Sequence, residues 1–184
     1  MADPDTEAEH PDAEADHTDI KGDHTDTDEN VDAEDHERFT RRAIELARAA
    51  AEHGNEPYGA LLVHDGRVIA ESENTVVTDG DVGAHPELKL ARSAIRNLDV
   101  ERRRETTLYA STEPCSMCVG AIRAAELGRV VFSVPGDRAN ELAAGGEVVV
   151  PAVSTILTDG VETVGSVLRD AGELVHEECW GPIR

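Results

Sequence analysis

Two short segments of this sequence carry residue types that bind a transition metal. A His-Pro-Glu segment begins at His85, and a Pro-Cys-Ser-Met-Cys segment contains Cys115 and Cys118, with 29 residues between His85 and Cys115. The cysteines are three positions apart, so they share one face of a helix, and the positive end of a helix N-terminus favours their thiolate forms. Because zinc prefers thiolate and imidazole ligands, the sequence predicts a zinc site formed by His85, Cys115 and Cys118.

Three protein ligands are typical of catalytic zinc, because the fourth tetrahedral position is left to water. The metal lowers the pKa of that water and produces hydroxide near neutral pH. We therefore expect one catalytic Zn²⁺ per chain, with bound water or hydroxide. Glu87, two residues after His85, lies close enough to take a proton from the water and return it to a leaving amine. It is the predicted general acid/base.

The combination of His-x-Glu with Pro-Cys-x-x-Cys is typical of the zinc deaminases of bases. From about residue 37 to the end, the chain resembles the cytidine/deoxycytidylate deaminase superfamily, in the branch of cytosine, guanine and transfer-RNA adenosine deaminases. The segments 56–60, 120–122 and 128–132 are also similar to this branch. The resemblance implies a three-layer α/β/α sandwich with a mixed five-stranded sheet, a homodimer, and contact between Asn74 and the base.

These residues and the resemblance predict hydrolytic deamination of a nucleobase or nucleoside, in which an amino group is replaced by oxo and ammonia is released. One alternative is a transfer-RNA adenosine deaminase, but this activity needs a cationic surface, whereas residues 173–178 are acidic. Another alternative is an inactive, zinc-stabilised binding module. The intact Glu87 argues against that alternative, because a structural site has no use for this carboxylate.

Pro86 departs from the family pattern. Most members of the branch have a small residue between the ligand His and the Glu, and its backbone N–H often donates to the bound base. Proline has no N–H, so this contact is missing here. We expect the substrate to be recognised differently, by a water or by another side chain.

Three further residues and one arginine segment each have two possible interpretations. Glu113 either contacts the amino group of the substrate or supports the cysteine loop. Trp180, the only Trp, either stacks on the base or fixes the last helix to the core, which is the commoner role. Cys179 as a fourth ligand would close the zinc site, so a free or core thiol is favoured. The arginines at 102–104 either meet a phosphate or lie in a solvated loop.

Two helices must position the predicted ligands. Pro86–Leu98 is predicted as a helix with Leu88, Ala91, Ile95 and Leu98 on one face and His85 at its N-terminus. A second helix, Ser116–Ala125, follows the cysteine loop. The other predicted elements are a helix at Glu37–His53, a hairpin of Ala60–His64 and Arg67–Ala70, strands at Thr106–Ser111, Arg129–Val134 and Val161–Val164, and a final helix at Arg169–Glu178. The alternation indicates an α/β domain.

The charge is unevenly distributed along the 184 residues, whose formal net charge is −22. Residues 1–36 hold fifteen acidic residues and one Lys, a charge of −14, and are predicted to be a disordered tail. Residues 37–184, the predicted deaminase domain, hold 24 acidic and 16 basic residues, a charge of −8. Only two of the 17 basic residues are Lys, which fits either a halophilic protein with a carboxylate-rich surface or a genome with biased composition.

The acidic balance and the absence of long apolar runs limit the partners. The charge disfavours nucleic acid as a partner because phosphate binding relies on Lys and Arg, although molar salt would screen the repulsion. No apolar run approaches the roughly 18 residues that span a bilayer, and the acidic N-terminus is unlike a signal peptide. We therefore expect a cytoplasmic protein that binds a small-molecule base or nucleoside and no membrane.

Overall fold

A computed structural model describes residues 33–143 and 161–181. Its elements, in chain order, are α1 (Ala33–Glu52), β1 (Gly59–His64), β2 (Arg67–Glu73), α2 (Val76–Asp79), α3 (Pro86–Asn97), α4 (Val100–Arg104), β3 (Thr107–Thr112), α5 (Ser116–Ala124), β4 (Arg129–Val134), α6 (Gly136–Leu142), β5 (Glu162–Val164) and α7 (Arg169–Trp180). Residues 1–32 of the predicted tail lie outside the described residues. Its last four residues belong to α1, which starts four residues before the predicted helix.

The five strands form one mixed sheet in the order β2-β1-β3-β4-β5. β1 pairs antiparallel with both β2 and β3, whereas β3, β4 and β5 are parallel. The hairpin turn between β1 and β2 has Asp65 and Gly66 at positive φ, 49° and 65°, which suits the right-handed twist of the two strands. The predicted five-stranded mixed sheet is confirmed.

Helices cover both faces of this sheet. Alternate residues of β1 point to opposite sides: Ala60 and Leu62 join the core beneath α3 and α5, whereas Leu61 and Val63 pack against Phe39 and Ala43 of α1 on the other side. α7 packs beside α1, where Val175 contacts the cluster of Ile44 and Ala47. The predicted three-layer α/β/α architecture is therefore confirmed. No helix of the described residues is both long enough and apolar enough to cross a membrane.

The buried face of α3 differs from the predicted one. Ala91 and Leu98 are buried as expected, but Leu88 is only partly buried and Ile95 is 45% exposed. The side chains that face the core are instead at positions 87, 90, 91, 94 and 98, a complete helical stripe. Leu90 and Ala94, rather than Leu88 and Ile95, complete the stripe, so the predicted face is displaced by part of a turn and Glu87 belongs to the buried side. The structural consequence is that Glu87 points inward.

Candidate active site

α3 positions His85 and Glu87. His85 occupies the N-cap of the helix with extended backbone angles (φ −68°, ψ 138°). Pro86 follows as the first helical residue, where its missing N–H costs no helical hydrogen bond and its fixed φ suits the helix. Glu87 lies in the first turn and is 4% exposed. The start of α3 therefore presents an imidazole and a buried carboxyl group at one end of the helix.

α5 positions the two cysteines in the same way as α3 positions His85 and Glu87. β3 ends at Thr112, and the chain reaches the N-cap of α5 at Cys115 within three residues. Cys118 lies one turn further on and is fully buried, whereas Cys115 is partly exposed. The helix start places both sulfur atoms on one side, as the spacing predicted. Two helix N-termini, which carry partial positive charge, therefore meet at this site.

The three predicted ligands converge. The Sγ atoms of Cys115 and Cys118 are 3.4 Å apart, and they lie 3.8 Å and 3.6 Å from Nδ1 of His85. In tetrahedral zinc sites, usual bond lengths place two sulfurs about 3.8 Å apart and a sulfur and a nitrogen about 3.6 Å apart. The donor atoms therefore fit zinc in both chemistry and spacing. Among the described residues, these three form the group of His, Cys and acidic side chains close enough to share a metal ion.

The charge state of Cys115 also suits a metal. Hydrogen bonds with Cys118 and with His85 lower the pKa of Cys115 to about 4, although burial opposes the shift. The hydrogen bond with Cys115 raises the pKa of His85, which must lose its proton to bind a metal. Cys115 is therefore a thiolate near neutral pH, which is the form that binds zinc.

Glu87 lies beside the ligands as a buried carboxyl group. Its Oε2 accepts a hydrogen bond from the Cys118 thiol at 3.5 Å. Burial raises the pKa of Glu87 to about 7. A carboxyl group with a pKa near neutrality holds and releases a proton with little cost in either direction, as a general acid/base requires. The position and environment of Glu87 suit its predicted role.

Asn74 is buried directly after β2. Its Oδ1 accepts the N–H of Val76 at 2.8 Å, at the start of α2, and its own backbone N–H donates to the carbonyl of Tyr58 at 2.9 Å. Within residues 33–143 and 161–181, no group accepts from its Nδ2. The amide donor therefore remains available to a ligand, which is compatible with the predicted contact to a base.

Glu113 supports the loop after β4. Its Oε2 accepts the backbone N–H of Gly136 at 2.8 Å, and its own backbone N–H donates to the carbonyl of Val134. The other carboxylate oxygen, Oε1, is buried without a partner among the described residues. One oxygen thus has a structural role, while the other is left for a ligand. Both interpretations of Glu113 stay open.

Trp180 and Cys179 end α7. The Trp180 ring stacks on His176, with centroids 4.7 Å apart and planes at 16°, and packs against Val134, Ala139 and Leu142. These contacts fix α7 to β4 and α6, which was the second interpretation of Trp180. Cys179 is exposed and does not belong to the group formed by His85 and the two cysteines. A fourth protein ligand from Cys179 has no support among the described residues.

The arginines at 102–104 have structural partners. Arg103 Nη1 donates to the carbonyls of Ile95 and Leu98 at the end of α3, and Arg104 pairs with Glu126. The guanidinium groups of Arg103 and Arg104 therefore hold a helix end and the surface around it. Neither interaction favours a phosphate site. Arg104 is solvent-exposed as expected, but the segment belongs to α4 rather than to a loop.

Two aromatic residues near the site were not singled out from the sequence. Tyr58 contacts His176 and Trp180. Burial, and to a smaller extent acidic groups that include Glu87, raise the pKa of its hydroxyl above the ordinary value. His176 is buried and hydrogen-bonded to Thr112 at the end of β3. Their proximity depends on the order of the strands and on the docking of α7. Only the position of Tyr58, inside a segment similar to the family, offered a signal.

Comparison with known proteins agrees with this site. Residues 33–134, which contain all three predicted ligands, match the family described as the cytidine and deoxycytidylate deaminase zinc-binding region. Guanine deaminase of Bacillus subtilis is 43% identical over 88 residues, which are 47% of this chain and 56% of that protein. The tRNA-specific adenosine deaminase of Haemophilus influenzae is 40% identical over 103 residues, 55% of this chain and 60% of that protein.

A solved structure extends the similarity to the fold. Guanine deaminase from Nitrosomonas europaea superimposes with a TM-score of 0.65 at 22% identity, covering 79% of this chain and 85% of the other. The matches to the two curated relatives span less than two thirds of the length of each.

Proposed function

Since the chain belongs to the family of cytidine and deoxycytidylate deaminases with this zinc-binding region, we propose that it is a zinc-dependent hydrolase that removes an amino group from a nucleobase or nucleoside. The observation that carries the proposal is the convergence of Nδ1 of His85 and the sulfurs of Cys115 and Cys118 beside a buried Glu87. A purely structural zinc site would not require that carboxyl group.

The roles of the residues follow from their positions. His85, Cys115 and Cys118 hold the metal, which when bound lowers the pKa of a water molecule. Oε2 of Glu87 takes a proton from the attacking water and returns it to the departing amino nitrogen, so that ammonia leaves and a C=O group replaces C–NH₂. Nδ2 of Asn74 donates to an acceptor on the base and orients the ring. Burial of the site excludes bulk water around Glu87 and strengthens these interactions.

A free base or nucleoside is the proposed substrate class. The domain carries a net charge of −8 in residues 37–184, which disfavours a polyanionic substrate. α7 has Asp170, Glu173, Glu177 and Glu178 against one basic residue, Arg169. The relative named guanine deaminase agrees with a small ring that carries an amino group.

A transfer RNA is the second candidate substrate. The relative from Haemophilus influenzae is named for activity on adenosine in transfer RNA, and it is 40% identical over 103 residues. This candidate requires the acidic surface to tolerate a phosphate backbone, which happens only when salt screens the charges. We rank it second, and its test belongs in the same experiment. The proposal also includes a homodimer in the cytoplasm with one zinc per chain.

A screen for ammonia release tests the proposed function. The zinc-loaded protein is incubated with free bases, nucleosides and unmodified transfer RNA, and ammonia is measured together with zinc content. We expect ammonia release from a base or nucleoside. In the Glu87→Ala variant, which should retain zinc, the rate of release should fall by a factor of about 10² to 10⁴ or more. Release from transfer RNA alone would favour the second candidate. No release from any compound would overturn the enzyme assignment, and loss of zinc in the variant would make Glu87 structural.

A further inference from the structure

Three aromatic rings form a cluster where α7 meets the sheet. His176 lies at the centre, with ring centroids 4.7 Å from Trp180 and 5.7 Å from Tyr58. Tyr58 and Trp180 also meet edge to face, with centroids 6.2 Å apart. We call Tyr58, His176 and Trp180 the aromatic cluster. Such contacts depend on ring orientation, so a change in one ring displaces the other two.

His176 ties this cluster to the strand that leads to the cysteines. Its side chain is 1% exposed, and its Nε2 shares a hydrogen bond of 2.9 Å with Oγ1 of Thr112. Thr112 is the last residue of β3, three positions before Cys115. Burial lowers the pKa of His176 to about 4, so the imidazole is neutral near pH 7. Its Nδ1 has no partner among the described residues. The ring is therefore a neutral, oriented group between α7 and β3.

Tyr58 connects the cluster to the candidate active site. Its carbonyl accepts the backbone N–H of Asn74 at 2.9 Å, which places it beside the residue proposed to contact the base. Burial raises the pKa of its hydroxyl, and the charges of Glu56 and Glu87 add to the shift. No group in the described part of the chain forms a hydrogen bond with this hydroxyl. The ring of Tyr58 thus meets α7, and its backbone is hydrogen-bonded to the residue proposed to contact the base.

We propose that His176 is a positioning residue that holds the Tyr58 ring at the entrance of the substrate site and thereby lets α7 set the affinity for the substrate. The proposal rests on the proposed function. His176 does not belong to the group of His85, Cys115 and Cys118, and it is proposed to act through Tyr58 rather than on the substrate. Its effect therefore falls on substrate binding, measured as KM, and much less on kcat, which depends on Glu87 and the zinc.

Two variants separate the ring of His176 from a general loss of stability. His176→Gln removes the ring but keeps an amide that reaches Thr112. Val175→Ala is the matched control, since Val175 is the adjacent buried residue and packs against Ile44 and Ala47 rather than the aromatic cluster. Kinetics are measured with the base or nucleoside that releases ammonia fastest. We expect His176→Gln to raise KM about five- to tenfold and to change kcat less than about twofold. The change in KM corresponds to the free energy of one aromatic contact.

The single Trp gives a second readout. Because Trp180 is the only Trp in the chain, its fluorescence reports on the cluster alone, and iodide quenching should increase in His176→Gln and stay unchanged in Val175→Ala. In a Tyr58→Ala background, adding His176→Gln should change KM by less than about twofold, since the two residues act as one unit.

The outcomes are distinguishable. An active wild-type protein in which His176→Gln leaves KM unchanged, or shifts it as Val175→Ala does, overturns the positioning role alone. Unchanged quenching of Trp180 in His176→Gln, or multiplicative effects in the double variant, also overturns it. A zinc-loaded wild-type protein that releases no ammonia overturns the proposed function, and this inference with it.

Discussion

At the scale of single residues, the chemistry depends on a small set of side chains held by two helix starts. His85 and Cys115 are both N-cap residues, so each helix presents its ligand at the end where the backbone is partially positive. That environment favours anionic ligands and an anionic proton acceptor. Glu87 is inside the same environment but is buried, and burial raises its pKa to about 7. The same set of residues is thus suited to bind a metal, with the proposed proton carrier beside it.

The first prediction concerns Asn74. Both Asn74 and Asn55 support α2, since Oδ1 of Asn74 accepts the N–H of Val76 and Oδ1 of Asn55 accepts those of Val77 and Thr78. Each Ala substitution should therefore cost about 1 kcal/mol in the free energy of unfolding. Only Asn74→Ala should also lower kcat/KM, by about tenfold or more, because it alone removes a donor to the base. Equal falls in kcat/KM for the two variants would show that Asn74 acts only through α2.

The second prediction concerns Pro86. Pro86→Ala restores a backbone N–H at the first position of α3, which is the position from which relatives of the branch often contact the base. The variant should change the ratio of kcat/KM values among free bases and nucleosides, because a hydrogen-bond donor appears in the site. Zinc content should stay the same. An unchanged preference would mean that the missing N–H has no part in substrate selection.

At the scale of elements, the long periodic segments were predictable and the short ones were not. β4 was predicted at its observed bounds, and α3 and α5 each end one residue earlier than predicted. α2 was missed because the N–H groups of Val77 and Thr78 are held by Asn55, 22 and 23 residues away, which no local pattern reveals. α4 was missed although Asp99 accepts from the N–H of Arg102, a capping pattern typical of a helix start.

The candidate site also divides into residues that could be predicted from the sequence and residues that could not. The ligands and Glu87 were predictable because each pair is close in sequence and lies at a helix start. The aromatic cluster was not, because His176 and Tyr58 are 118 positions apart and meet only when α7 docks on the sheet. The sequence therefore identified the residues proposed to carry the chemistry, and of the aromatic cluster it singled out only Trp180.

The third prediction concerns the contact of α1 with β1. A Cβ added at Gly59 would lie 2.5 Å from the carbonyl of Ala43 and from the backbone N of Ala47. Gly59→Ala should therefore lower the free energy of unfolding by about 1–3 kcal/mol or more. Gly120→Ala is the control, since Gly120 lies on α5 with nothing within 4 Å of its added Cβ. That variant should gain about 0.5–1 kcal/mol in helix stability. Urea unfolding measures both, and equal values would contradict the close approach of α1.

At the scale of the whole molecule, charge is the dominant feature. The formal net charge of −22 and the scarcity of Lys fit either a halophilic protein or a biased genome. The ion pairs of the described residues are mostly at the surface, for example Arg42 with Glu71 and Arg104 with Glu126, and such pairs contribute little stability each. The repulsion among unpaired carboxylates is therefore expected to govern how stability responds to salt.

The fourth prediction is a rise in thermal stability with salt. Between about 0.1 M and 1 M sodium chloride the Debye length falls from about 10 Å to about 3 Å, so repulsion between surface carboxylates is screened. The unfolding midpoint of the zinc-loaded protein should rise over this range. Differential scanning fluorimetry with a fixed zinc concentration measures it. A midpoint that is constant or falls would mean that self-repulsion does not limit the stability of this protein.

The central claim is that deamination depends on zinc held by His85, Cys115 and Cys118. The most direct measurement removes zinc with a chelator, measures ammonia release, and then titrates zinc back while both metal content and activity are followed. We predict that release is lost on removal and returns in proportion to bound zinc, reaching its plateau at one zinc per chain, and that Cys118→Ser neither binds zinc at this level nor recovers activity. Full activity in the zinc-free protein, or in Cys118→Ser without bound metal, would contradict the account.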